Sequence, residues 1–203
     1  MARGTISSLT RGRPTLAISL RLAAAPTDSD ILQLSERNPG LQFERTAAGE
    51  LVVTPNGTEG GGREAELLGQ LHRWAGEDGT GKVFGASTGF RLHDGSLFAP
   101  DASWVRLDRW EGVSRVQRKK FAPLCPDAVF EIASESDTLA FLRRKMRTYV
   151  ANGARLAVLI DPEHATVEVS MAGRDPQVFE SADTVSLDPI LPGFTLNVRL
   201  ILA

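Results

Sequence analysis

Two acidic residues occupy positions where a carboxylate is unusual. Glu131 lies inside an apolar run that is typical of a buried β-strand, and strand alternation places it on the same face as Val129 and Ala133. An isolated carboxylate on such a face is costly or takes up a proton, so we expect a cation or a lysine beside it. Asp101 directly follows Pro100 and begins another predicted strand, a usual position for a ligand at a strand entrance.

A lysine on the following predicted helix gives these carboxylates a chemical partner. Lys145 lies at the edge of the apolar stripe that contains Leu142 and Met146, so we expect it to be half covered against the sheet. Two carboxylates supply the hard oxygen ligands that Mg²⁺ and Mn²⁺ prefer. A bound metal lowers the pKa of water and stabilises charge on a phosphate. The lysine would orient or deprotonate that water, or offset the phosphate charge.

Each of the three residues also has a structural interpretation when it is taken alone. Glu131 would serve only the structure if it faced a solvent groove or paired with an arginine. Asp101 belongs to a Pro-Asp dipeptide, which is common in turns. A boundary lysine such as Lys145 often packs its stem on the core and keeps its charge outside. Their combination on neighbouring strands and the next helix favours metal-dependent phosphate chemistry.

The spacing of these residues resembles that of a known family. The matching segments are Pro100-Asp101, Glu131 in Val-Phe-Glu-Ile-Ala-Ser, Lys145-x-x-x-Tyr149, Asn-Gly-Ala-Arg and Leu-Ile-Asp161-Pro162. They resemble the bacterial "putative restriction endonuclease" family of the PD-(D/E)XK nuclease superfamily, over about residues 40–202. The resemblance implies a mixed α/β, restriction-endonuclease-like fold, with a central mixed β-sheet flanked by helices and a metal site at one sheet edge. It also implies an endonuclease that uses Mg²⁺ or Mn²⁺ to hydrolyse phosphodiester bonds in nucleic acid, with DNA as the expected partner.

The resemblance assigns roles to three of these residues. Asp101 matches the acid of the Pro-Asp motif and Glu131 matches the second acid, and both are expected to be catalytic and to bind the metal. The lysine that usually stands two residues after the second acid is absent, because position 133 is Ala. Such families place the lysine on the following helix, where Lys145 stands.

A further carboxylate is expected on the first core helix, because many relatives carry an acidic residue or a histidine there. In the helix predicted over 63–76, Glu64 falls inside the apolar stripe and is the inward-facing catalytic candidate. Glu66 falls well off that stripe. Glu59, in the glycine-rich loop predicted over 56–62, is the alternative to Glu64.

The elements that must hold these residues follow from periodicity and turn signals. Their order predicts one mixed α/β domain around a central sheet. The predicted helices run from an Asp28-Ser29-Asp30 cap to 38–40, over 63–76, and from a Ser136 or Asp137 cap to Asn152-Gly153. The predicted strands are 41–45, 50–54, 82–92, 97–107, 127–133, 156–160, an outer strand 166–171, one or two more short strands in the tail and a final strand 198–202. A basic excursion, for which a helix is one option, is predicted over 108–121.

Composition limits the class of protein. The chain has 203 residues, of which 42% are hydrophobic, as in globular proteins. We predict a poorly ordered basic arm over 1–28 and a single domain over 29–203. The one cysteine excludes a disulfide within the chain and a thiolate zinc site.

No segment has the pattern of a membrane-spanning helix or a secretory signal, so we expect a cytoplasmic protein without a membrane partner.

The formal net charge of −2 conceals segregated charge. Residues 1–21, 106–121 and 143–147 each carry a net charge of +4, whereas 157–203 contains seven acids and two arginines. Such segregation hints at an anionic partner, and we expect basic residues of 106–121 and of the arm to contact phosphates. The alternative function is a catalytically inactive nuclease-fold protein that acts as a binding or oligomeric interaction module. A homodimer is compatible with both functions.

Overall fold

The computed structural model describes residues 17–55, 57–135 and 137–203, and these ranges contain both helices and strands, with helices interspersed among groups of strands. This confirms the predicted mixed α/β class. The strands are β1 (Ile18–Leu20), β2 (Leu41–Arg45), β3 (Leu51–Pro55), β4 (Gly81–Gly85), β5 (Phe90–Arg91), β6 (Leu97–Phe98), β7 (Ala102–Arg106), β8 (Ala128–Ile132), β9 (Leu156–Asp161), β10 (Thr166–Met171), β11 (Gln177–Glu180), β12 (Thr184–Ser186) and β13 (Thr195–Asn197). The helices are α1 (Asp28–Arg37), α2 (Thr58–Asp78), α3 (Leu107–Glu111), α4 (Arg115–Arg118), α5 (Leu139–Ala151) and α6 (Val198–Leu202).

Six strands form the central sheet in the order β11-β10-β9-β8-β7-β4. β8 and β9 run parallel and the other neighbouring strands are antiparallel, so the sheet is mixed, as predicted. A parallel pair needs a crossover connection, and α5 lies in it. Every residue of β8 and β9 is buried, which explains their apolar runs, because strands covered on both faces lose the polar alternation.

Helices cover both faces of the central sheet. On one face, α2 packs Leu67 into a core that contains Phe130 of β8. On the other face, α5 packs Leu142 into a core that contains Val129. Phe130 and Val129 are consecutive in β8 and point to opposite faces, as strand geometry requires. Glu131 therefore faces α5 together with Val129, which agrees with the prediction.

A second sheet meets the central sheet beside Pro100. Its strand order is β1-β3-β2-β6-β5, and α1 packs on it through Ile31 and Phe43. β6 belongs to this second sheet and β7 to the central one, so the chain passes between the sheets within residues 99–101. Pro100 has no N–H to donate to a ladder, which suits this crossing point. Asp101 therefore lies at the junction of the two sheets.

α2 begins earlier than the sequence predicts. The boundary between the predicted loop 56–62 and helix 63–76 is wrong, because the helix already begins at Thr58 and includes glycines 60–62. Glycine disfavours a helix by about 1 kcal/mol relative to alanine, but tertiary packing of an apolar face outweighs this local preference. The helix ends at Gly79, whose φ of +69° favours glycine. No described helix, α2 included, is both long and apolar enough to cross a membrane.

Two predicted strands are interrupted where the chain changes sheets. The predicted strand 82–92 consists of β4 and β5, and the predicted strand 97–107 consists of β6 and β7. β4 pairs with β7 in the central sheet, whereas β5 pairs with β6 in the second. Between β4 and β5, a Cβ on Gly89 would lie 2.6 Å from Cδ1 of Phe121, so glycine permits a close approach there. Periodicity alone does not reveal such a change of sheet.

The C-terminal segment also departs from the prediction. The predicted outer strand 166–171 is β10, which lies between β9 and β11, so β11 forms the sheet edge instead. The predicted final strand 198–202 is wrong, because these residues form α6. Val198 and Ile201 are both buried and lie three residues apart, which matches one helical turn. The side chain of Asn197 caps this helix.

The N-cap of α5 differs from the two predicted residues. Oγ1 of Thr138 accepts a hydrogen bond from the N–H of Phe141 at 3.3 Å and caps the helix. Asp137, one of the predicted caps, instead accepts a hydrogen bond from the N–H of Ser134 at 3.0 Å. Ser136, the other predicted cap, lies outside the described residues.

The predicted basic arm over 1–28 falls partly inside the described chain. Residues 1–16 lie outside it, whereas Ile18–Leu20 forms β1 and pairs antiparallel with β3. The predicted cap Asp28-Ser29-Asp30 is wrong, because these residues already belong to α1 and Thr27 caps the helix through a capping box with Asp30. The division into an arm over 1–28 and a domain over 29–203 stays a prediction.

Candidate active site

Lys145 is buried and bridges carboxylates from the two sheets. Its side chain is 5% exposed, whereas the sequence predicts a half-covered one. The Nζ atom lies 2.7 Å from Oε1 of Glu131 in β8 and 2.9 Å from Oε1 of Glu44 in β2. The OH of Tyr149, one helical turn along α5, donates a hydrogen bond to the same Glu131 oxygen at 3.3 Å. The partner that the sequence demands for Glu131 is thus a lysine.

Glu44 belongs to this network although the sequence does not single it out. In β2 it alternates with Phe43, which faces the core of the second sheet, so the pattern predicts a solvent-facing carboxylate. Its side chain is instead 5% exposed, because the central sheet and α5 cover that face. Nothing in the sequence of this short strand indicates that other elements cover the side chain of Glu44.

β2 also fixes the segment that leads to Asp101. Oε1 of Glu44 accepts a hydrogen bond from the N–H of Ala99 at 2.6 Å. Nε2 of Gln42, two residues away on the same face of β2, donates to the carbonyl of Ala99 at 2.6 Å. The peptide groups before Pro100 are therefore held by one strand of the second sheet. This contact sets the position from which Asp101 projects.

Asp101 lies next to Glu131 across the strand pair. The ladder pairs Ala102 with Phe130, so the register places Asp101 opposite Glu131, where side chains share a face. Oδ2 of Asp101 accepts a hydrogen bond from the N–H of Ile132 at 2.7 Å. Burial raises the pKa of Asp101 to about 7, although this hydrogen bond and the charge of Lys145 both act to lower it.

Burial and neighbouring charges determine which side chains of the buried network carry a proton. Burial raises the pKa of Glu131 well above its usual value, while the charge of Lys145 opposes that rise. Burial alone would lower the pKa of Lys145, but Glu131 and Glu44 together raise it above its usual value. Burial also raises the pKa of Tyr149 well above its usual range, so its hydroxyl stays a donor. At neutral pH, Lys145 is therefore a buried cation.

Glu64 and Glu59, the two candidates on the first core helix, differ in environment. Glu64 is half-buried, and this burial raises its pKa. Glu64 and Asp101 line the same cavity, and the negative charge of Glu64 contributes to the raised pKa of Asp101. Glu59 has a side chain that is 76% exposed and pairs with Arg63 at 2.6 Å. Both candidates line the same cavity as Asp101, and Glu64 is the more buried of the two.

Asp101 and Glu64 open onto a cavity of about 290 Å³ between the start of α2 and the end of β8. We call this cavity the inner lobe. Glu131 and Lys145 are buried and do not belong to its lining, but the strand register places Glu131 beside Asp101. The inner lobe is lined by Gln42, Thr54, Pro55, Gly57, Thr58, Glu59, Gly60, Arg63, Glu64, Asp101, Ile132, Ala133, Ser134, Glu135 and Asp137.

Asp101 and Glu64 give the inner lobe carboxylate oxygens, the type of donor that Mg²⁺ and Mn²⁺ prefer. Asp101 and Glu64 face one cavity, and the negative charge of Glu64 raises the pKa of Asp101, so a cation between them would relieve repulsion. Within the described ranges, no three acidic, histidine or cysteine side chains converge as a ready-made metal site. Mg²⁺ commonly uses only one or two carboxylates and completes its shell with water and phosphate oxygens.

The basic excursion over 108–121 is largely occupied by contacts within the chain. Arg109 pairs with the buried Asp127 at 2.9 Å, and the guanidinium of Arg118 stacks 4.9 Å from the ring of Trp110. The excursion also begins beyond the far end of β7, roughly 16 Å from Asp101 at 3.3 Å per residue. The cations of this segment that form neither an ion pair nor a ring contact with a described residue are Arg115, Lys119 and Lys120.

Comparisons with known proteins identify the family of this chain. The chain matches the Uma2 family, described as "Putative restriction endonuclease", over residues 28–199. No curated protein matches the sequence. Among solved structures, it is similar to a "putative nuclease belonging to DUF820" from Anabaena variabilis ATCC 29413, with 17% identity, a TM-score of 0.70, and coverage of 87% of this chain and 97% of that chain. This likeness shows the nuclease fold, and because the family match spans most of its length, the chain belongs to the Uma2 family of "putative restriction endonucleases", within the PD-(D/E)XK superfamily.

Proposed function

We propose that this protein is a divalent-metal-dependent endonuclease that hydrolyses phosphodiester bonds, with DNA as its substrate. The observation that carries the proposal is the distance of 2.7 Å between Nζ of Lys145 and Oε1 of Glu131. It brings a lysine beside the second acid, although the usual position 133 is Ala. Family membership and the nuclease fold support the same reaction class.

Asp101 and Glu131 would hold Mg²⁺ or Mn²⁺, and Glu64 would assist from the wall of the inner lobe. The metal, when bound, supplies an activated water and offsets charge on the phosphate. Lys145 keeps its proton because Glu131 and Glu44 raise its pKa. Its role is therefore to hold the Glu131 carboxylate and to stabilise negative charge, rather than to remove a proton from water. Tyr149 orients the same carboxylate through its hydroxyl.

Cleavage of supercoiled plasmid and of labelled oligonucleotides, with Mg²⁺ or Mn²⁺, tests the proposal. The wild type should cleave, whereas Asp101→Asn and Glu131→Gln should lose at least about 100-fold in rate, because each removes a charged ligand. Arg147→Ala is the matched control, since Arg147 lies on α5 two residues from Lys145 but is exposed. Metal-dependent cleavage that persists unchanged in both acidic variants would exclude this site.

Metal binding without turnover separates the endonuclease from the interaction module. Mn²⁺ titrated into the wild type should release or absorb heat and raise the melting temperature, and Asp101→Asn should abolish both effects. A wild type that neither binds Mn²⁺ nor cleaves any nucleic acid would instead support a catalytically inactive nuclease-fold protein.

A further inference from the structure

A second cavity continues the inner lobe along the end of the central sheet. We call it the outer lobe; its volume is about 240 Å³, and it reaches Asp161 at the end of β9 and His164 beyond that end. β8 and β9 are parallel, so their carboxyl-terminal ends lie on the same side of the sheet, at the ends of the strands rather than along an edge strand. The two lobes therefore form one groove along this end of the sheet. Their shared lining residues are Glu59, Arg63, Ala133, Ser134, Glu135 and Asp137.

Arg63 lies where the two lobes meet and is the one cation among the described residues that line the inner lobe. Its side chain is 23% exposed, and its Nη2 lies 2.6 Å from Oε1 of Glu59. Its Nε atom is buried and has no hydrogen-bond partner among the described residues. A buried donor without a partner is unfavourable, so Arg63 has hydrogen-bonding capacity that the chain itself does not use.

The charged residues that line the groove are mostly acidic, which bears on the ligand that Arg63 could bind. Asp101, Glu64 and Glu135 all line the inner lobe, and a phosphodiester anion entering it would meet their repulsion. A guanidinium binds phosphate through two parallel N–H donors, and the partly exposed guanidinium of Arg63 can present such a pair when its side chain turns from Glu59 toward the groove. The present partner of Arg63 is the exposed Glu59, and such surface pairs contribute little, so phosphate can replace it.

We infer that Arg63 binds a backbone phosphate of the nucleic acid strand in the groove, and that Glu59 competes with this phosphate for the guanidinium. The inference rests on the proposed function and adds to it the residue that positions the substrate strand beside the carboxylates. Arg63 does not take part in bond breaking in this arrangement. It lowers the dissociation constant of the strand and fixes its register along the end of the central sheet.

A purely structural ion pair makes a different prediction from a phosphate contact. If Glu59 and Arg63 only stabilised α2, removal of either charge would act in the same direction on any property of the protein. If Arg63 binds phosphate, loss of Arg63 weakens binding, whereas loss of Glu59 strengthens it. The two variants Arg63→Gln and Glu59→Gln therefore form a matched pair that differs in the sign of the expected effect.

The test is fluorescence anisotropy of a fluorescein-labelled DNA duplex over a series of salt concentrations, without divalent metal, so that binding does not depend on cleavage. Arg63→Gln should raise the dissociation constant about tenfold and make the salt slope shallower by about one phosphate contact. Glu59→Gln should lower the dissociation constant about twofold. Arg63→Lys should keep the salt slope and lose part of the affinity, because it keeps the charge without the planar fork.

Equal weakening by Arg63→Gln and Glu59→Gln, or an unchanged affinity and salt slope in Arg63→Gln, would overturn the inference. Melting temperatures of the variants within about 3 °C of wild type show that the fold is intact. The proposed function can fail independently of this inference. In that case the wild type would bind the duplex in a manner that depends on Arg63 but would not cleave it with Mg²⁺ or Mn²⁺.

Discussion

At the residue scale, the buried ion network explains how an apolar strand tolerates Glu131. Lys145 lies between Glu131 and Glu44 with both distances below 3 Å, and each partner is about 5% exposed. Such a network does not by itself make a fold more stable than apolar packing would. A buried ion network that adds little stability is consistent with the catalytic role proposed for its members. Removing the lysine would leave both carboxylates buried without their cation.

Lys145→Met should therefore destabilise the protein by about 3 kcal/mol, because Glu131 and Glu44 would both lose their buried cation. The matched control is Arg143→Met on the same helix. Arg143 pairs with Glu168, but its side chain is 48% exposed, so its loss should cost less than about 1 kcal/mol. Urea unfolding monitored by circular dichroism measures both changes. Equal losses in the two variants would contradict the buried network.

Asp101→Asn should stabilise the metal-free protein at neutral and alkaline pH. Folding raises the pKa of Asp101 from its usual 3.8 to about 7, so the folded state holds the proton more tightly than the unfolded state. Its contribution to stability is therefore greatest below pH 4 and is lost as the pH rises from about 4 to about 7. Asparagine stays neutral and can still accept the hydrogen bond from Ile132.

The melting temperature of Asp101→Asn should thus exceed that of wild type by about 3 °C at pH 8, and the difference should shrink toward pH 4. Scanning calorimetry of both proteins in metal-free buffer across this range measures the difference, in which contributions from other titrating groups largely cancel. A difference that does not vary with pH, or a variant that is less stable at pH 8, would show that folding does not raise this pKa.

At the element scale, the first turns of α2 keep glycines that helix formation does not require. Added Cβ atoms on glycines 60–62 would have no atom within 4 Å, so no close approach demands glycine there. Gly60 lines the inner lobe, whereas Gly61 and Gly62 do not. The low helical propensity of these glycines therefore lowers the stability of the helix. At Gly60, a side chain would also take up space in the inner lobe that Arg63 lines.

Gly61→Ala should stabilise the protein by about 1 kcal/mol, because alanine loses less conformational entropy in a helix and meets no neighbour here. This corresponds to a rise in melting temperature of about 3 °C for a chain of this size. DNA binding and cleavage should stay at the wild-type level, since Gly61 does not line the inner lobe. A fall in melting temperature would show that this position is not helical in solution.

At the scale of the whole molecule, sequence patterns predict the central sheet better than the site. The apolar runs of β8 and β9 and the stripe of α5 are local signals, and they correctly place Glu131 and Lys145 on facing surfaces. Glu44 escapes prediction because its burial depends on a second sheet that meets the first at Pro100. The same change of sheet breaks two predicted strands. What periodicity misses is therefore contact between elements that are distant in the sequence.

The junction between the sheets gives the last prediction, which concerns cooperativity. Glu44 links the second sheet to Lys145 of α5 and to Ala99, so the wild type should unfold in urea in a single transition by every probe. All three tryptophans, residues 74, 104 and 110, lie in α2, β7 and α3, so their fluorescence reports the part around the central sheet. Far-UV circular dichroism reports both sheets.

Glu44→Ala removes both links at once and should separate the two probes. The second sheet should unfold at a lower urea concentration, so the circular dichroism signal should begin to change before the tryptophan fluorescence does. Gln42→Ala, which removes only the hydrogen bond to the carbonyl of Ala99, is the control and should keep the two curves together. Coincident curves in Glu44→Ala, at whatever midpoint, would mean that apolar contacts alone couple the sheets and that the ion network serves the site rather than the fold.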